Sequence, residues 1–193
     1  TERIAHAFYE HEIPLDGGIF SASNLFPRLY HDFFEALKTK NGEIVLFRPE
    51  ENAKRFNDSA ERLLMPKYEV SKFVEAVKKV VKANEEYVPP HDSGGALYIR
   101  PVMIGSGPIL GVKPASEYTF YIFTVPVGPY FPEGFKGIDL EITKEYTRAA
   151  PGGTGSAKTC CNYAGSMLPA KKTKEKGYQS IERHYGKFER TFG

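Results

Sequence analysis

Between residues 29 and 82 apolar side chains return every three or four positions, the spacing that gathers them on one side of a helix. In LYHDFFEALKTK, Leu29, Phe33 and Leu37 stand four apart, so Leu29–Lys40 is expected to be an amphipathic helix stopped by Asn41-Gly42. A short strand, Ile44–Phe47, follows. Pro49 suits a first helical turn and Glu50 and Glu51 complement the dipole there, so a second helix is expected over Pro49–Leu64. Its apolar stripe is Ala53, Phe56, Ala60 and Leu63, and Pro66 ends it. Ser71 is placed to cap a third helix reaching Lys82, with Phe73, Val74, Val77, Val80 and Val81 inward and four lysines toward water.

The pattern changes after the loop Tyr87–Gly95. Ala96–Ile104 and Tyr118–Val125 are rich in β-branched and aromatic residues and bounded by Gly and Pro, as buried strands are, and they predict a sheet behind the helices. Pro126, Pro129 and Pro132 then crowd into one short stretch; proline continues neither a central strand nor a helix, so 126–132 is expected to be a linker. Beyond it come a strand at Ile138–Thr143, a Gly-rich turn at Pro151–Gly155, and a helix from Asn162 to Lys176 that Pro169 must kink or interrupt. The expected architecture is α/β in two parts: an N-terminal domain over 1–125, the linker, and over 133–193 the start of a second domain, too short for a comfortable core of its own.

Composition narrows the function. The 193 residues carry 26 Lys+Arg against 24 Asp+Glu, a net charge of +2, which is no field for a nucleic-acid partner. No apolar run nears the ~18 residues of a membrane helix, and the longest, Phe120 to Val127, is broken by Thr124 and Pro126. The N-terminus lacks the basic patch and apolar run of a secretory signal, and the only two cysteines, Cys160 and Cys161, are adjacent and make no disulfide framework; a reducing compartment, the cytosol, is the expectation. His6, His11, His31, His91 and His184 show no metal-ligand spacing, so no metal is expected.

The segment with most chemical content is Gly152-Gly153-Thr154-Gly155-Ser156-Ala157-Lys158-Thr159, a bendable stretch leading to a lysine and a hydroxyl. It misses the phosphate-loop pattern GxxxxGK[ST] by one residue, Ala157. The context is wrong for that loop: Glu145-Tyr146-Thr147-Arg148 precede it in place of a buried strand, and Pro169 interrupts the helix behind it.

With its flanks, Arg148-Ala-Ala-Pro-Gly-Gly-Thr-Gly-Ser-Ala-Lys-Thr-x-x-Asn162-Tyr163-Ala resembles the segment that carries the Schiff-base lysine of the branched-chain aminotransferases, which are fold-type-IV pyridoxal-phosphate enzymes. FFEALK at 33–38, LFRPEENAKRFNDSAERL at 46–63, LYIRPVMIGSGPILGVKPASEYTF at 97–120 and PVGPYF at 126–131 agree in order and spacing, so the resemblance runs from Phe33 to Gly177. It implies the two-domain D-amino acid aminotransferase-like fold, with the second domain incomplete here. The implied activity moves the amino group of leucine, isoleucine or valine to 2-oxoglutarate, with pyridoxal 5'-phosphate as cofactor. Carried over position by position, it makes Lys158 the catalytic lysine, Arg55 the phosphate arginine and Tyr163 the tyrosine at the cofactor's phenolic oxygen. Loss of Arg55 is expected to leave the stability of the cofactor-free protein nearly unchanged. Tyr98 and Arg100, alternating with Leu97 and Ile99 on a strand and so sharing a face, match residues of the substrate pockets. Phe34 and Lys38, four apart on the first expected helix, match pocket-lining positions. Leu110 and Val112 match a loop that enters the partner subunit's site, which implies a homodimer.

Three departures stand out. Cys160 and Cys161 replace two glycines of the family, and FEG reads Phe34-Glu35-Ala36. If the cysteine positions needed positive φ, both would be strained, by about 1–3 kcal/mol each. The acid that pairs with the pyridine nitrogen falls at Thr191, with Glu189 two places away. These departures keep open a second reading, a catalytically silent relative or fragment acting as an interaction protein.

Overall fold

The computed structural model describes residues 29–108, 111–129, 140–143, 145–147, 149–178 and 180–183. Seven strands and three α-helices are defined within them: β1 Leu29–His31, β2 Phe34–Lys38, β3 Ile44–Leu46, α1 Pro49–Arg62, α2 Val70–Ala83, β4 Ala96–Gly105, β5 Tyr118–Val127, β6 Leu140–Thr143, α3 Cys161–Glu175 and β7 Ser180–Arg183. Short 3-10 turns at Glu85–Tyr87 and His91–Ser93 lie within and beside the expected loop.

The first expected helix is two strands. A spacing of four is also a multiple of two, so Leu29, Phe33 and Leu37 satisfy a strand's alternation as well as a helix's turn, and the apolar Tyr30, Phe34 and Ala36 between them supply the other face. Asn41-Gly42 does not stop a helix; it turns a hairpin. Gly42 has φ +84° and donates to the Thr39 carbonyl, while the Thr39 N–H meets Glu43.

β4 is the spine of a five-stranded antiparallel sheet. β5 covers one of its edges, from Ala96↔Val127 to Gly105↔Tyr118. Its other edge is shared end to end: β1 pairs the C-terminal half (Leu29↔Ile104), β2 the N-terminal half (Phe34↔Ile99), and β3 lies outside β2. The connector Asp32-Phe33 therefore faces Arg100-Pro101, where the Asp32 N–H donates to the Pro101 carbonyl. Pro101 is tolerated in a central strand because its missing N–H falls at this break. β5 runs two residues past Val125, so Pro126 and Val127 belong to the strand and not to the linker; among the described residues β5 pairs only with β4, and an edge strand admits proline.

α1 and α2 lie on one face of the sheet. Phe56, Ala53 and Ala60 of α1 and Phe73, Val77 and Val81 of α2 bury against Tyr30, Ala36, Leu97, Ile99 and Met103. Aromatic rings interlock there, with Tyr30 at 4.3 Å from Phe56, Phe56 at 5.4 Å from Phe73, and Phe120 stacked on Tyr68 at 4.3 Å. α2 starts two residues earlier than a Ser71 cap implies, and Ser71 does not cap it: the hydroxyl donates to the Glu69 carboxylate.

β6, α3 and β7 form a separate βαβ turn with parallel strands (Leu140↔Ser180). Of the strand expected at Ile138–Thr143, residues 138 and 139 lie outside the described residues. α3 passes through Pro169 without ending, its proline buried and Gly165, which holds the carbonyl that loses a partner, bare of side chain.

Candidate functional site

Lys158 is held by its backbone. Its N–H donates to Ser59 Oγ at 3.0 Å, and its carbonyl accepts the His31 N–H at 3.0 Å. Ser59 is buried on α1 and its hydroxyl in turn meets the Arg55 carbonyl, one turn earlier. The next residue, Thr159, is fully buried and bridges to Tyr30 as a stub of antiparallel strand. The Gly-rich stretch before the lysine is fastened at both ends. Arg62, in the last turn of α1, donates to the carbonyls of Gly152 and Gly153 at 2.8 and 3.0 Å. Asn162, in the first turn of α3, exchanges side-chain bonds with Thr154 and donates to the Ala157 carbonyl at 2.7 Å. Gly155 is required for closeness: a Cβ there would stand 2.4 Å from that of Ala149.

The connector of β1 and β2 joins the side chains. Successive residues alternate sides of the sheet. His31, 6% exposed, stacks on the ring of Tyr163 with centroids 5.9 Å apart and planes inclined by 28°. Asp32, wholly buried, takes Arg55 in both oxygens, Nε to Oδ2 at 2.9 Å and Nη2 to Oδ1 at 2.6 Å. Phe33 lies under the Lys158 ammonium, 4.1 Å from ring centroid to Nζ, and stacks near-parallel on Tyr98 at 5.7 Å. Tyr98 in turn receives two N–H groups of Arg100 on its hydroxyl, and the Arg100 guanidinium lies between the rings of Tyr98 and Phe123.

The charges have definite causes. The bond to Asp32 pushes the Arg55 guanidinium above its ordinary value. Burial holds the His31 imidazole below its ordinary value, and the positive charges of Arg100 and Lys158 add to that; Asp32 opposes them. The His31 Nδ1 is buried and has no hydrogen-bond partner among the described residues. Burial raises the Cys160 thiol and the Tyr121 phenol, with the Arg100 charge pulling both the other way. Cys160 is in ordinary right-handed geometry, φ −60° and ψ −30°, and Cys161 begins α3, so two cysteines sit in this turn without the strain that positive φ would impose. Both thiols are free. Among the described residues no group of three His, Cys, Asp or Glu side chains is placed to hold a metal ion.

Of the residues singled out in the sequence, Lys158, Arg55, Tyr163, Tyr98 and Arg100 gather around His31, Asp32 and Phe33. Phe34 does not join them. It faces the helices, 6.3 Å from Phe73, because as a strand residue it points away from Tyr98 and Arg100. Lys38 is on the same strand face as Phe34, at the end of β2, and its carbonyl meets His91 Nδ1 at 3.0 Å. Val112 is fully exposed on its loop, and Leu110 lies outside the described residues, as do Glu189 and Thr191. Sequence reasoning misses His31, Asp32, Phe33 and Ser59. Reading 29–40 as a helix scatters the first three around a cylinder, whereas the even spacing and the Asn41-Gly42 turn are the signals of a hairpin. The expectation that Arg55 is dispensable for stability also changes, since its loss would strand a buried carboxylate.

Residues 32–181 match the family model described as Amino-transferase class IV. The chain is 47% identical over 147 residues to branched-chain-amino-acid aminotransferase 2, chloroplastic, of Arabidopsis thaliana, which covers 76% of this chain and 38% of that protein. It is 51% identical over 149 residues to the branched-chain-amino-acid aminotransferase of Helicobacter pylori, covering 75% of this chain and 44% of that one. Among solved structures, the T.th. branched-chain amino acid aminotransferase with pyridoxamine 5'-phosphate superposes with TM-score 0.67 at 25% identity, over 81% of this chain and 50% of the other. The chain thus spans less than half the length of the Arabidopsis and Helicobacter relatives.

Proposed function

Because the chain belongs to the class IV aminotransferase family, we propose that it provides the lysine-bearing part of a pyridoxal-phosphate aminotransferase for leucine, isoleucine or valine, with 2-oxoglutarate as amino acceptor. The donor set fits that cofactor. A primary amine (Lys158), a guanidinium whose Nη1 end is not engaged by Asp32 (Arg55) and a phenol (Tyr163) surround one connector, and these are the groups an aldehyde, a phosphate and a phenolic oxygen require. When bound, the cofactor supplies an aldehyde that condenses with amines and a ring that delocalises carbanion charge.

The chain's own residues do the rest. Lys158 Nζ, held over the Phe33 ring, would take the proton from the substrate's α-carbon and deliver it to the former aldehyde carbon of the bound cofactor. Arg55 grips the phosphate. Arg100, pinned to the Tyr98 hydroxyl, offers positive charge to the substrate carboxylate. Phe33, Tyr98 and Phe123 make an apolar wall for a branched side chain. The working unit is a homodimer, with the exposed Val112 on the loop that would meet a second copy, and the compartment is the cytosol. No helix among the described residues is long and apolar enough to cross a membrane. The division into an N-terminal domain and the start of a second is kept in this proposal.

The observation that carries the reading is the double tie of Lys158, to the α1 turn that bears Arg55 and to His31, whose neighbour Asp32 binds Arg55. Pyridoxal phosphate followed by borohydride reduction and peptide mass mapping should place a pyridoxyl group on the peptide containing Lys158. Equal labelling of other lysines, or labelling that survives in Lys158→Ala, would remove that residue from its role.

A further inference from the structure

Asp32 is a wholly buried carboxylate on the arginine proposed to bind phosphate, and the chemistry above gives it no task. Its place is fixed by the backbone: its N–H donates to the Pro101 carbonyl at 3.1 Å, and Oδ1 also accepts the Phe33 N–H at 2.6 Å. It presents to Arg55 what a phosphate would present, two oxygens meeting a guanidinium edge at charge-assisted distances of 2.6 and 2.9 Å. It also offsets the only charge that Arg55 has to offer.

We propose that Asp32 is an internal oxyanion competitor, occupying Arg55 as a phosphate does and thereby setting how tightly the site holds a phosphorylated cofactor. The proposal rests on Arg55 being the phosphate arginine. An incoming phosphate must either exchange with the carboxylate or share the guanidinium with it against like-charge repulsion, and both routes weaken retention. Asparagine at this position keeps an acceptor of the same shape and removes the charge.

The test titrates the 193-residue chain with pyridoxal phosphate, read by bound-cofactor absorbance, in the parent, Asp32→Asn, Arg55→Gln and the double variant. Parallel titrations use pyridoxal, which lacks the phosphate. Asp32→Asn should tighten pyridoxal phosphate at least about tenfold, the scale of one partly screened charge pair, and leave pyridoxal unchanged. The inhibition constant of inorganic phosphate, corrected for the cofactor's own affinity, should likewise fall in Asp32→Asn relative to the parent. Arg55→Gln should weaken pyridoxal phosphate, and the gain from Asp32→Asn should vanish in the double variant. If Arg55→Gln weakens binding but Asp32→Asn does not tighten it, or tightens pyridoxal equally, the competitor role is overturned and Asp32 merely holds Arg55 in place. If Arg55→Gln binds as the parent does, the phosphate reading of Arg55 falls and the proposal falls with it. Asp32→Ser, checked with Asp32→Asn by circular-dichroism melting, provides a second variant judged by the same outcomes should the first fold poorly.

Discussion

The two faces of the five-stranded sheet are made by alternate residues of the same strands and have opposite characters. Toward α1 and α2, Tyr30, Leu97, Ile99 and Met103 are buried among Phe56 and Phe73. On the other side, His31, Phe33, Tyr98, Arg100 and Phe123 form a chain of rings and cations, with Phe33 and Phe123 partly open to solvent. One face uses its aromatic area to exclude water, while the other uses the same residue types to position charge. The strand period alone separates stability from chemistry here, so substitutions one residue apart should differ in kind.

The sharpest break of that contrast is in the core. Phe56→Ala should cost about 3–5 kcal/mol, the usual loss for a fully buried aromatic, measured as a fall in denaturant midpoint. Phe123→Ala, on the open face, should cost less than about 1 kcal/mol while weakening substrate binding. Equal losses would mean the open face is a second core. Arg55→Gln, which couples the faces, should cost about 1–3 kcal/mol in the cofactor-free protein by leaving Asp32 without its charged partner. A denaturation curve that overlays the parent's would show that Asp32 finds another partner.

His31 gives a pH signature. Its folded imidazole titrates below the unfolded one, so as the pH falls through about 6.5 the unfolded chain binds the proton first. Stability that is present above that pH should decline below it, and His31→Gln should flatten the decline. A slope identical to the parent's would show that His31 is hydrated in solution. The smallest expected effect is Ser71→Ala: with its hydroxyl turned to Glu69 and no capping bond, it should change stability by less than about 0.5 kcal/mol. A loss near 1 kcal/mol would restore it as a cap.

Much of this was legible in the chain. Helices announced by strong signals, Pro49 with two glutamates behind it and the valine stripe of α2, formed within two residues of their expected ends. The segment around Lys158 was recognisable because it is long and unusual, and Tyr98 and Arg100 share a face as alternation requires. What stayed hidden was the connector. Leu29, Phe33 and Leu37 fit two periods at once, and only pairing with β4, which lies more than 60 residues away, decides between them. Asp32 and Ser59 were illegible for another reason: a lone acid and a lone hydroxyl become site residues only through partners brought up by the fold.

The bond from the Lys158 N–H to Ser59 spans 99 residues of chain, and those from Arg62 to Gly152 and Gly153 span 90 and 91. Each closes a loop whose entropy must be met before the contact gives anything back, whereas the helices and the hairpins of β2–β3 and β4–β5 depend on closer neighbours. The lysine segment, held at these points by single long-range bonds where β4 is paired along its length with β5, is expected to be late to form and first to open. In amide exchange the Lys158 N–H should lose protection well before those of Leu97 and Ile99, so the protein can release its reactive turn while the core beneath stays shut.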